Sequence, residues 1–138
     1  MSKKIFLVDD DEIHSFILET YTKKVSDGFS VEKFINAEKA LNALRAIAET
    51  KNEFPNFIFI DLDMPVMNGF EFLEVYDREF YPQFPDVNLY FLSSSMNENE
   101  EKTILKSPAV ISFINKPISL DTYKKCLEEK IQKMKSVQ

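Results

Sequence analysis

Two short apolar runs, each ending abruptly in acid, restrict this chain more than any other feature. Ile5-Phe6-Leu7-Val8 stops at Asp9-Asp10-Asp11-Glu12, and Phe57-Ile58-Phe59-Ile60 stops at Asp61-Leu62-Asp63. Four consecutive apolar residues without polar alternation read as strands covered on both faces, the habit of parallel sheets packed between helices. A carboxylate at the C-terminal end of such a strand stands where open α/β sheets place their chemistry. After the second run, Pro65 and Gly69 prevent simple continuation of the strand, and Asn68 is suited to cap a helix beginning at Gly69 or Phe70.

The remaining segments alternate in the same way. Ile13, Phe16, Ile17, Thr20 and Tyr21 recur at helical steps and predict a helix face from Ile13 to about Lys24, closed by Asp27-Gly28. A second strand is expected over residues 29–34. A helix carrying Ala37, Ala40, Leu41, Leu44, Ile47 and Ala48 follows, capped by Asn36. Phe70, Phe72, Leu73 and Tyr76 give a helix that must end before Pro82, and a fourth strand spans 87–92. A short helix opens in the acidic run from Asn97 and ends at Ser107-Pro108; a fifth strand covers 109–114. Ser119 or Asp121 caps a last helix with Tyr123, Leu127, Ile131 and Met134 on one side, and residues 135–138 are expected to fray. Five strands alternating with five helices predict a parallel sheet with right-handed crossovers.

Length and charge narrow the possible functions. With 138 residues, 44% of them apolar and 13 of them Phe, one domain with a full core is expected over residues 1–138, with no output domain. The formal charge of −6 argues against a nucleic-acid or anionic-membrane partner. No apolar run is long enough for a membrane span and no signal peptide is visible. The single cysteine, Cys126, reads as a small buried or half-buried apolar residue, which fits a reducing cytoplasm.

Parallel strands direct their C-terminal ends to one edge, so Asp9, Asp10, Asp61, Ser93 and Lys116 are predicted to converge there. Carboxylates packed closely repel one another, and a raised pKa or a bound divalent cation compensates. Oxygen ligands without nearby His or Cys suit Mg²⁺. A carboxylate can attack phosphorus to give an acyl phosphate, with Lys116 neutralising charge and Ser93 donating a hydrogen bond.

In their order and placement these residues resemble the receiver domain of two-component response regulators. The acidic pair Asp9-Asp10, Asp61 within Asp61-Leu62-Asp63-Met64-Pro65-Val66-Met67-Asn68-Gly69, Ser93 and Lys116-Pro117 match that family's five-part signature across nearly the whole chain. The resemblance implies a flavodoxin-like sheet of order 2-1-3-4-5 and a cis Lys116-Pro117 bond. It implies that Asp61 takes a phosphoryl group from a histidine kinase or phosphotransfer protein. Asp10, Asp61 and the Asp63 main-chain carbonyl would hold Mg²⁺, with Asp9 acting through water or assisting Asp10. Phe113 matches the aromatic switch position, whose side chain turns inward when the phosphoryl group draws Ser93 toward it. The surface around the fourth helix, fifth strand and fifth helix would then be read by a downstream protein, the chain being a monomer or a phosphorylation-dependent dimer.

Three residues depart from the family pattern. Ser93 stands where Thr is commoner, with Ser94 beside it as a second candidate hydroxyl; Phe113 lacks a phenol; and Asp63 adds a charge near the phosphoryl site, where it and Ser95 bear on phosphoryl loss. A haloacid-dehalogenase-like phosphatase using Asp61 and Asp63 is the alternative, although here an acidic pair precedes that motif and none follows Lys116. His14, the only histidine, is expected to be an exposed or half-buried structural residue and not a phosphodonor.

Overall fold

The computed structural model describes residues 3–50, 53–95 and 97–130. Its elements are β1 (Lys3–Val8), α1 (Glu12–Val25), β2 (Phe29–Phe34), α2 (Ala37–Thr50), β3 (Phe57–Asp61), α3 (Gly69–Glu79), β4 (Asn88–Ser93), α4 (Glu98–Leu105), β5 (Val110–Asn115) and α5 (Leu120–Leu127). All four strand pairings are parallel, in the order β2-β1-β3-β4-β5. That is the predicted topology, and it brings the ends of β1, β3, β4 and β5 to one edge.

The continuous apolar runs are explained by a helical layer on each face. Within β1, Phe6 and Val8 enter the core shared with α2, α3 and α4, while Ile5 and Leu7 enter the core shared with α1 and α5. β3 divides the same way, Ile58 and Ile60 against Phe57 and Phe59. Both faces of these strands are dry, so neither can carry polar residues until the strand emerges at its end. β2, at the sheet edge, has no fully buried residue. Cys126 is buried in the α1/α5 core.

Helix starts follow the capping residues. Asn68 and Glu71 form a reciprocal capping box on α3, Asn97 accepts from the N–H groups of Asn99 and Glu100, and Ser119, of the two predicted candidates, accepts from Thr122. The Asn36 side chain accepts from the Lys39 N–H at the start of α2. Two expectations need correction. α1 does not bury the face through Ile13 and Phe16, which are 74% and 63% exposed; it buries His14, Ser15, Leu18 and Thr22. The Thr22 hydroxyl lies 2.7 Å from the Tyr123 hydroxyl on α5, and this contact helps fix the rotation of α1. The last helix ends at Leu127, short of the predicted span; Ile131, Met134 and residues 135–138 lie outside the described residues. Glu129 there has φ 57°, and Lys130 N–H bonds back to the Lys125 carbonyl, a left-handed helix stop.

The β3–α3 loop holds two residues under unusual constraint. Gly69 has no room for a side chain: a Cβ would stand 2.9 Å from the Leu62 Cα and 2.9 Å from the Phe91 ring. Its N–H also donates to the Leu62 carbonyl at 2.8 Å. Val66 is 89% exposed and has φ 70°, a left-handed conformation unfavourable to a β-branched residue. Gly69→Ala is therefore expected to destabilise the protein by about 1–2 kcal/mol in urea unfolding, although Ala is the better helix former. Val66→Gly is expected to stabilise it by about 1 kcal/mol in the same measurement, through relief of the backbone conformation.

Candidate functional site

The site is built where the strands run out. Val8 is the last residue of β1 and Asp9 follows it; Asp61 is the last residue of β3. Backbone bonds hold the surrounding loops in place, the Leu62 N–H to the Leu92 carbonyl and the Lys116 N–H to the Ser93 carbonyl, each at 2.8 Å. The Lys116-Pro117 bond is cis. Ligating oxygens of Asp9, Asp10 and Asp61 all lie within 4.8 Å of one another, with Asp9 and Asp61 buried and Asp10 exposed.

Lys116 enters between the two buried acids. Its Nζ stands 2.9 Å from Asp9 Oδ2 and 3.6 Å from Asp61 Oδ2. The Asp9 carboxylate is held from several directions: Oδ2 also faces His14 Nδ1 at 3.3 Å, and Oδ1 accepts the Asp11 N–H at 2.9 Å. Burial raises the Asp9 pKa, but the His14 and Lys116 contacts and the Asp11 N–H outweigh it and hold the carboxyl below its ordinary range. Burial likewise pulls Lys116 downward, and Asp9 followed by Asp61 more than reverses this.

Asp61 is placed differently. Burial and then the charge of Asp9 push its pKa from 3.8 to about 6, only partly offset by Lys116 and by the Asp63 N–H, which donates to Oδ1 at 3.3 Å. The lysine thus sits closer to Asp9, leaving Asp61 the less compensated of the pair.

Between the adjacent candidates Ser93 and Ser94, the structure separates them by burial: Ser93 is fully buried at the end of β4 and Ser94 is exposed. The Ser93 hydroxyl donates to Asp63 Oδ2 at 3.4 Å and accepts the Ser95 N–H at 3.2 Å, so it reaches the rim of the site through Asp63. Phe113 lies one strand away, paired in register with Phe91 and 4% exposed in the α2/α3/α4 core. Its ring is already turned inward in this conformation. Lacking a phenol hydroxyl, it has no polar group to favour an outward position.

His14 was misjudged from sequence. It is 4% exposed, not half-buried, and lies against Asp9. The available signal was its place in the first turn of a helix capped by Asp11, which returns that turn to the strand end carrying Asp9.

The donor set fits a hard divalent cation: the three clustered side chains offer only oxygen, and the negative charge of buried Asp61 is only partly compensated by Lys116. The same carboxylate is positioned as a nucleophile, with an ammonium ready to receive developing negative charge.

Comparison with known proteins agrees with this geometry. Residues 5–128 match the family model described as response regulator receiver domain. The chain is 32% identical over 125 residues to a protein-glutamate methylesterase/protein-glutamine glutaminase of Geobacillus kaustophilus, covering 88% of this chain and 33% of that protein. It is 29% identical over 126 residues to hybrid signal transduction histidine kinase A of Dictyostelium discoideum, covering 91% of this chain and 6% of that one. The chain thus spans a third or less of the length of these curated relatives. A crystal structure of a two-component response regulator from Cytophaga hutchinsonii superposes with a TM-score of 0.83 at 22% identity, over 93% of this chain and 96% of that one, a likeness of fold.

The raised Asp61 pKa has a stability consequence. An acid whose folded pKa lies above its unfolded value costs stability when ionised: the cost is full above the folded pKa, declines as pH falls, and vanishes below the unfolded pKa. In chelator-containing buffer, Asp61→Asn is expected to be more stable than the wild type by about 2 kcal/mol at pH 7.5. Urea titrations should show that advantage shrinking between pH values of about 6 and 3.8 and lost below that window.

Proposed function

The chain belongs to the response regulator receiver domain family, and from that premise we propose that Asp61 is the residue that accepts the phosphoryl group. Members of this family are phosphoacceptor signalling proteins and not classical enzymes, and they partner with histidine kinases. The observation that carries the assignment to Asp61 is the placement of Lys116 between two buried carboxylates, 2.9 Å from Asp9 and 3.6 Å from Asp61, with Asp10 beside them.

In this reading an Asp61 carboxylate oxygen attacks the phosphorus of the donor phosphohistidine, and the new O–P bond forms as the P–N bond breaks and the imidazole departs with its electron pair. Lys116 shifts toward the transferred group and neutralises part of its charge. The Ser93 hydroxyl leaves Asp63 and donates to a phosphoryl oxygen, pulling the end of β4 with it; Phe113, packed beside that strand, responds by repacking. Asp10, Asp61 and the Asp63 main-chain carbonyl are the residues that would hold Mg²⁺, with Asp9 assisting. When bound, Mg²⁺ supplies charge neutralisation for the phosphoryl oxygens.

The donor is a histidine kinase or a histidine-containing phosphotransfer protein, and the modified chain signals to a downstream protein through the surface of α4, β5 and α5. Two features support a cytoplasmic setting: the lone cysteine is a buried thiol, and among the described residues no helix is long and apolar enough to cross a membrane.

Incubation with acetyl phosphate and Mg²⁺ should add one phosphoryl group, read as a mass shift, and Asp61→Asn should add none. Beryllofluoride with Mg²⁺ should bind the wild type and not this variant. Equal modification of the two proteins, or sustained multiple turnover of an aryl phosphate, would defeat the assignment.

A further inference from the structure

His14 has two ring nitrogens, is 4% exposed, and finds no well-aligned hydrogen-bond partner for either nitrogen among the described residues. Burying a polar group without a partner is unfavourable, and an apolar side chain at the same helix position would avoid that cost. The ring faces the Asp9 carboxylate: Nδ1 stands 3.3 Å from Oδ2, outside hydrogen-bond alignment but close enough for a donated proton to be attracted.

The same oxygen is shared with Lys116 at 2.9 Å. Lys116 is carried by the loop after β5, and in the functional reading above it shifts toward the group transferred to Asp61. His14 is carried by a different element, α1. When Lys116 leaves, Asp9 Oδ2 would be unsupported except for His14, while Oδ1 keeps the Asp11 N–H. A ring nitrogen already 3.3 Å from that oxygen is placed to hold the carboxylate in either state.

We propose that His14 is a positioning residue for the cation site: through Nδ1–H it orients Asp9 toward the ion, independently of Lys116. This rests on the reading of Asp9, Asp10 and Asp61 as a divalent-cation site. Partners that orient metal-binding groups from behind commonly change affinity by about 10–100-fold when removed, because the ligand is then free to turn away. His14 therefore acts through Asp9 and has no direct contact with the phosphoryl group.

Calorimetric titration of the full chain with Mg²⁺ tests this. His14→Leu should raise the Mg²⁺ Kd about tenfold. His14→Asn, whose Nδ2–H occupies nearly the position of Nδ1–H, should remain within about threefold of the wild type. A His14→Leu variant that binds as tightly as the wild type would overturn the inference, as would equal losses in both variants, which would indicate packing alone. Because His14 is the only histidine in the chain, nitrogen-15 NMR of the wild type gives a second test that does not depend on a variant folding. Nδ1 should carry a proton both without and with Mg²⁺, and a bare Nδ1 in either state overturns the proposal. A wild type that binds no Mg²⁺ would defeat the functional reading and this inference with it; normal wild-type binding with an unaffected His14→Leu defeats this inference alone.

Discussion

The structure at the sheet edge depends on one half-buried ammonium between two buried carboxylates. Asp9 and Asp61 have both been taken out of water, and their mutual repulsion would open the loops around them without compensation. Lys116 supplies it unequally, bonding Asp9 and only approaching Asp61. Asp9 is thereby held as a stable ion, while burial and the Asp9 charge, only partly offset by Lys116, push the Asp61 pKa up to about 6 and leave it able to gain from a cation, a proton or a covalent substituent. A symmetrically placed lysine would satisfy both acids and leave less reason for either to react.

Everything beneath this edge exists to hold it. Ile5–Val8 of β1 and Phe57–Ile60 of β3 are apolar on both faces, so the next polar side chain after each run, Asp9 or Asp61, is delivered at the rim. Gly69 lets the loop after Asp61 fold tightly against Leu62 and Phe91, and the backbone bond between Lys116 and Ser93 ties the end of β5 to that of β4. Movement of Ser93 would therefore be felt by the strand that carries Phe113, a mechanical link between the acidic pocket and the α4–β5–α5 surface. In the present conformation Phe113 already lies in the core, so a response at that position would take the form of repacking and not of a swing in from solvent.

α1 shows where reading a pattern breaks down. Its residues include apolar side chains around more than one face, and spacing alone favoured Ile13, Phe16, Ile17 and Tyr21. The helix instead turns His14, Ser15, Leu18 and Thr22 inward. Two tertiary contacts at its ends accompany that rotation: the capped first turn returns to Asp9, and Thr22 meets Tyr123 on α5. Local hydrophobic periodicity has no knowledge of either partner, which lie at opposite ends of the chain. The premature end of α5 has a similar cause, since Glu129 adopts a left-handed conformation that composition does not announce.

The linear order of residues determined the alternation of strand and helix, the doubly covered β1 and β3, the caps at Asn36 and Asn68, and which acids, hydroxyl and lysine gather at one edge. These are consequences of short-range patterning and of the common direction of parallel strands, and both can be read without coordinates. Only the tertiary structure decided how Lys116 divides itself between Asp9 and Asp61, that Ser93 and not Ser94 turns inward, and that His14 is buried against Asp9. Each of those outcomes is a choice among side-chain positions separated by an ångström or two or by a helix rotation, and it is decided by packing between segments distant in the chain.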